Sequence, residues 1–183
     1  MRNLKNKDSN LNTYNIIRHN EFSFSFTTDN ACEYECYFLP YEGYFLDFPE
    51  IASKVFGFNL ELKFKPDKNI GIDSHIAATV ATIIKDFLSQ RIHAVVYVCD
   101  NNDNNEKIRF QKFNNWFDAY DDGSTIRLTS IIKLESQQIF NAMFIHIENK
   151  QANKFIAAYQ ILTGAYSKEE DDINPNILNE PEW

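Results

Sequence analysis

Hydrophobic positions along this chain switch between a period of two and a period near 3.6, and each switch marks an element. Phe22, Phe24 and Phe26 alternate with Ser23, Ser25 and Thr27, while Cys32, Tyr34, Cys36 and Phe38 alternate with Glu33, Glu35 and Tyr37. Alternation puts one face of a strand inward and the other in water. Because Thr28-Asp29-Asn30 between the runs is turn chemistry, residues 22–38 predict a hairpin. Pro40, Gly43 and Pro49 then break the pattern, which predicts a loop with a short helical turn near Ile51 to Val55. A third strand follows, with Phe58, Leu60, Leu62 and Phe64 expected inward and Asn59, Glu61 and Lys63 outward.

Pro66 to Gly71 separates this strand from a helix expected over residues 73–89. Asp73 or Ser74 can accept bonds from the first free amides, and Ile76, Val80, Ile83, Ile84 and Phe87 fall at helical spacing. Ala94 to Cys99 is apolar on both faces, which predicts a central strand. Phe110, Phe113, Trp116, Phe117 and Tyr120 then form the stripe by which a helix covers a sheet. After the Asp121-Asp122-Gly123 turn, alternating runs over 125–134 and 138–147 predict a second hairpin. A last helix, from Gln151 to Tyr166, presents Phe155, Tyr159, Leu162 and Tyr166 on one side. The order βββ-α-β-α-ββ-α predicts an α+β fold: a mixed, mainly antiparallel sheet of about six strands with three helices packed on it. It occupies a single domain over residues 14–166, between a flexible basic segment (1–13) and an acidic tail (167–183).

Composition narrows the class. A chain of 183 residues, 44% of them hydrophobic, can bury a core without disulfides or metals. There are three cysteines, and Cys32 and Cys36 lack the two-residue gap of common zinc and redox motifs, which predicts a reduced, cytoplasmic protein. The first residues have no apolar core, and no run approaches the roughly 18 residues of a membrane span, so neither secretion nor insertion is expected. The net charge of −8 is uneven. Arg2, Lys5, Lys7 and Arg18 outweigh Asp8 at one end; Glu169, Glu170, Asp171, Asp172, Glu180 and Glu182 outweigh Lys168 at the other. An acidic protein repels phosphate backbones, which disfavours nucleic acid and leaves another protein as the expected partner. The acidic tail reads as a solvated extension, with Ile173, Ile177, Leu178 and Trp183 keeping a docking-peptide role open.

Candidate chemistry concentrates in residues 92–120, where a buried strand runs through a polar loop into the aromatic helix. Carboxylates at such a junction lie where α/β proteins often place ligands. One reading is structural: Asp103 and Glu106 form a capping box, and Arg109 pairs with Asp100. A second is metal binding by Asp100 and Asp103 for phosphodiester or similar hydrolysis. An EF-hand fails, since Asn105 and Gln111 stand where glycine and glutamate are required, and Asp47, Asp67 or Asp73 would have to complete a magnesium site. A third is recognition of a partner by Arg109, Lys112, Trp116 and Tyr120, residue types enriched at binding hot spots.

Other templates are weaker. His19, His75, His93 and His146 are scattered, and the two in predicted strands, His93 and His146, suit satisfied structural roles. No hydrolase elbow, phosphate loop or dinucleotide fingerprint occurs, and no cofactor is expected. Cys99 ends a strand near a helix start, as a nucleophile can, but a buried position beside Asp100 opposes its thiolate. The Phe22, Phe24 and Phe26 row lacks the basic residues of RNA-binding sheets.

Tyr97-Val98-Cys99-Asp100-Asn101-Asn102-Asp103, with Arg109, Phe113, Trp116 and Phe117 downstream, resembles the signature of a family of small Bacteroidota proteins of unknown function. Phe26-Thr27-Thr28-Asp29 and the helix from His75 to Phe87 are similar too, so the likeness spans about residues 14–150. Members often carry glycine and a basic residue where this chain has Asn104 and Asn105. The resemblance implies an intracellular bacterial protein and no mechanism. The functional expectation is therefore a cytoplasmic module that binds another macromolecule, of the regulatory, antitoxin-like or defence-associated kind. The alternative is a metal-dependent hydrolase or phosphodiesterase using Asp100 and Asp103.

Overall fold

The structure is a computed structural model that describes residues 2–3, 12–67, 73–99, 105–133 and 138–164. Its strands are β1 (Arg2–Asn3), β2 (Ile17–Arg18), β3 (Ser23–Thr27), β4 (Glu33–Pro40), β5 (Val55–Phe64), β6 (Ala94–Val98), β7 (Thr125–Lys133) and β8 (Gln138–His146). The helices are α1 (Pro49–Ala52), α2 (Ser74–Leu88), α3 (Glu106–Tyr120) and α4 (Ala152–Leu162), with a 3-10 turn at Glu42–Tyr44. All expected elements are present in the expected order. The two-residue β1 and β2 and the 3-10 turn are additions, too short to leave a period in the sequence, and the brief α1 falls where a helical turn was expected.

One sheet carries every strand, in the order β1-β2-β3-β4-β5-β6-β8-β7. Pairing is antiparallel except between β5 and β6, whose connection through α2 lets them run parallel. β6 is central, as its apolarity on both faces predicts. Val95, Tyr97 and the following Cys99 enter a core beneath α2 and α3, while Ala94 and Val96 enter a second core beneath α1 and α4. Phe144 and Ile145 of β8 divide in the same way, so this half of the sheet is covered on both faces.

The other half is covered on one face. Phe24, Phe26, Cys36 and Phe38 point into the first core, where the Phe38 and Phe87 rings stack 3.9 Å apart. On the opposite face the cross-strand partners Glu35 and Glu61 would repel, and Lys63 sits 3.6 and 3.1 Å from their carboxylates. Where β5 passes under the tyrosine that follows β4 the approach is close: a Cβ on Gly57 would lie 3.0 Å from the Tyr41 ring, which would have to move by a few tenths of an ångström to admit it.

The expected inward row of β5 fails at its far end. Leu62 and Phe64 are 44% and 51% exposed. Alternation assigns a face, but burial also requires an element lying over that face, and β5 outruns its helices.

Candidate functional site

Two 15-residue helices lie side by side on the first core and seat differently. α2 is amphipathic and buries Ala77, Ala78, Thr79, Val80, Ile83, Phe87 and Leu88. α3 has no fully buried residue and touches the sheet through rings: Phe110 against Phe140 (5.4 Å), Phe113 against Tyr97 (4.7 Å) and Phe117 against Phe144 (5.2 Å). Lys85 of α2 fastens its end, donating to the Tyr120 carbonyl at 2.5 Å and to Asp122 at 2.8 Å. That lysine holds the Asp122 carboxyl well below its usual range. Arg127 of β7 reaches Asp118 at 2.9 Å and covers the Phe117 ring at 4.5 Å. Between the helices the packing leaves a cavity of about 40 Å³ bounded by Val80, Ile84, Phe113 and Trp116.

A larger groove, of about 760 Å³, opens between the outer face of α3, the first turn of α2 and the projecting ends of β4 and β5. Ile108, Lys112, Trp116 and Tyr120 line it along α3, and Tyr34 and Leu62 line it from the sheet. The Lys112 ammonium lies 4.9 Å over the Trp116 ring, a cation–π pair that holds charge and ring together at the wall. Ile108 is 63% exposed. Among the described residues the lining combines apolar and aromatic side chains with polar Ser74, Gln111 and Asn115, and its cations are Lys65 and Lys112.

The α2 wall is fixed by a hydrogen-bond network. Asp73 caps the helix, Oδ1 accepting from the His75 amide at 3.0 Å, and Oδ2 accepts from the Tyr14 hydroxyl at 2.6 Å. Burial, then the Asp73 bond, push the Tyr14 phenol up to about 12. The Tyr14 amide donates to Thr79 Oγ1 at 2.9 Å, and that hydroxyl donates to the His75 carbonyl at 2.6 Å. Asn12 Nδ2 and His75 Nε2 lie 3.0 Å apart. Asp73 is therefore committed to structure.

Of the residues expected to bind a partner, Lys112, Trp116 and Tyr120 share this groove. Arg109 is half-buried on the same helix and is not among its lining residues. The metal candidates Asp100 and Asp103 lie outside the described residues; Asp47 and Asp67 are exposed. Among the described residues no group of three His, Cys, Asp or Glu could hold a metal ion. α3 begins at Glu106 with Asn105 in the cap position and no side-chain cap bond, so Glu106 occupies the first helical position, not the third that a capping box needs.

The remaining candidates separate cleanly. Cys99 is buried, and desolvation pushes its thiol up to about 11, the wrong direction for a nucleophile at neutral pH. His146 is satisfied, its Nδ1 accepting from the Glu148 amide at 3.1 Å. His93 departs from expectation. It is buried against Phe87 with ring centroids 5.0 Å apart, and its Nδ1 has no hydrogen-bond partner among the described residues. His19 Nε2 lies 2.7 Å from Ser25 Oγ, a nucleophile–base distance, but the pair lines neither cavity. Asp73, Tyr34 and Leu62 were not foreseen as groove residues. Each carries a sequence signal only for its own element, and the tertiary fold alone brings them together.

Comparison with known proteins adds one finding. Residues 72–161 match the model of a family of unknown function (DUF6169). The match begins just before α2 and ends within α4, and so takes in β6, α3, β7 and β8. It overlaps the likeness read over residues 14–150 from residue 72 onward, and Phe26-Thr27-Thr28-Asp29 lies outside it. No curated protein and no solved structure matches the chain.

Proposed function

We propose that the protein acts by binding a segment of another protein in the groove along α3. The observation that supports this reading is the juxtaposition of Lys112 over Trp116 and the exposed Ile108 on the α3 wall with the exposed Leu62 across the groove. Aromatic rings held at their faces, flanked by aliphatic surface, are the anchors from which binding hot spots are built. The groove lies within the volume range of ligand sites, roughly 300 to 1,000 Å³. Its cations, Lys65 and Lys112, face the groove while the Asp73 carboxylate is taken up by Tyr14 and the helix start. Charge complementarity therefore favours an apolar segment carrying acidic residues. A cytoplasmic role of the regulatory, antitoxin-like or defence-associated kind belongs to this reading. Among the described residues, no helix is long and apolar enough to cross a membrane.

Panning a random peptide display library against the full chain tests it. Enriched peptides are expected to pair aliphatic or aromatic residues with Asp or Glu. Trp116→Ala is expected to weaken them at least about tenfold, roughly 1.4 kcal/mol, and Lys112→Glu to abolish the acidic preference. Lys112→Glu is expected to keep the melting temperature within about 3 °C of the parent, while Trp116→Ala removes a ring packed on Phe113 and the first core and is expected to lower it with the chain still folded at about 25 °C. Peptides that bind both variants as well as the parent would refute the groove as the site.

A further inference from the structure

The two edges of the sheet are built differently. One ends in strands of two residues, β1 and β2, a length that offers little template for pairing. The other ends in β7, nine residues of sequence TIRLTSIIK with no proline and no register shift against β8. Among the described residues, β8 is its only partner.

Hydrogen-bond parity fixes which groups β7 offers. Cys99 donates to the Phe140 carbonyl and Ile147 to the Ser124 carbonyl, each at 2.9 Å. Backbone groups alternate sides along an antiparallel ladder, so Ile126, Leu128, Ser130 and Ile132 direct their N–H and C=O at β8. Thr125, Arg127, Thr129, Ile131 and Lys133 direct theirs away from the sheet. Water satisfies such a row, and a second strand satisfies it while burying the side chains beside it. Ile131 is 45% exposed there, and Ile161 and Leu162 stand exposed on α4, whose core takes in the Ile126 and Leu128 side chains of β7.

We propose that β7 is an assembly edge, on which β7 of a second copy of this chain adds antiparallel across a two-fold axis at Thr129. This register overlaps the whole strand and brings every outward-directed residue opposite another outward-directed one. Arg127 meets Ile131 of the second copy, and Lys133 meets its Thr125, so no like charges lie directly opposed. Arginine or lysine on an edge ordinarily discourages such pairing. Here the Arg127 guanidinium is turned back onto Asp118 and Phe117, which leaves Lys133, at the last position of the strand, as the remaining cation on the edge. The contact is self-complementary and closes at two chains, joining both sheets into one.

Sedimentation equilibrium on the full chain, from low to high micromolar, reads the assembly state. A monomer–dimer equilibrium is expected. Thr129→Pro deletes an outward N–H and no β8 bond, and is expected to weaken the dimer at least tenfold with an unchanged circular-dichroism spectrum. Thr129→Lys sets two ammonium groups face to face at the axis and is expected to weaken it similarly, with partial recovery in high salt. Amide exchange at Arg127, Thr129 and Ile131 is expected to slow as concentration rises, while that at Leu128 and Ser130 stays slow throughout. The proposal is overturned by a single-chain mass at every concentration, by a dimer that both variants leave intact, or by outward amides equally protected in the monomer.

Discussion

α2 and α3 have the same length, adjoin each other and rest on the same core, yet they hold their places by different means. α2 enters with a carboxylate cap and buries seven side chains; α3 has no side-chain cap bond and buries none completely. α2 is held by exclusion of water along its whole face. α3 is held by a row of ring contacts and by polar fastenings at its far end from Lys85 and Arg127. That division leaves the outer face of α3 available to line a groove while α2 keeps the core closed. Amphipathic strength, and not aromatic content, separates a helix that builds the fold from one that presents a surface.

The contrast breaks most visibly in the core. Phe87→Ala removes a ring stacked on Phe38 and in contact with Phe56, and is expected to cost about 3 to 5 kcal/mol in urea unfolding. Phe113→Ala on α3, only partly buried, is expected to cost clearly less. Equal losses would dissolve the distinction. A smaller effect is expected at the start of α2, where Asp73→Ala forfeits a cap bond and the Tyr14 bond, for about 1 to 2 kcal/mol in urea unfolding.

The smallest effect is one of pH. Burial lowers the His93 pKa, so the folded state keeps the ring neutral while the unfolded chain titrates near 6.5. The unfolded state therefore binds the proton first as pH falls, and the His93 contribution to stability is complete above that value and declines below it. Urea midpoints compared between pH 8 and pH 5.5 are expected to fall less in His93→Phe than in the parent. Parallel pH profiles would exclude a role for this histidine.

Most elements were legible because burial leaves a period. The alternation at Phe24 and Phe26, the α2 stripe and the two-sided apolarity of Ala94 to Tyr97 each report a local environment that the structure reproduces, whereas Phe22 and Val98, at the ends of their runs, are 36% and 43% exposed. What escaped depends on neighbours. Leu62 and Phe64 carry a strand's alternation but lack a covering helix, and β1 and β2 are too short to show one. For the groove, the spacing of Lys112, Trp116 and Tyr120 placed three residues on one helical face. It gave no sign that Asp73, Tyr34 and Leu62 stand opposite, since that meeting is made by contacts distant in the chain. His93 reads the same in sequence whether its ring is bonded or stranded.

The position of β6 carries a consequence for how the molecule comes apart. Every ladder linking β1 through β5 to β7 and β8 runs through its five residues, one side parallel and the other antiparallel. Each flanking set of strands pairs within itself and can fray from its outer strand without disturbing the other. A fluctuation that lifts β6 severs both at once and opens both cores together. All-or-none unfolding of the sheet is thus concentrated in a short central segment, and slow amide exchange there measures the opening of the entire domain.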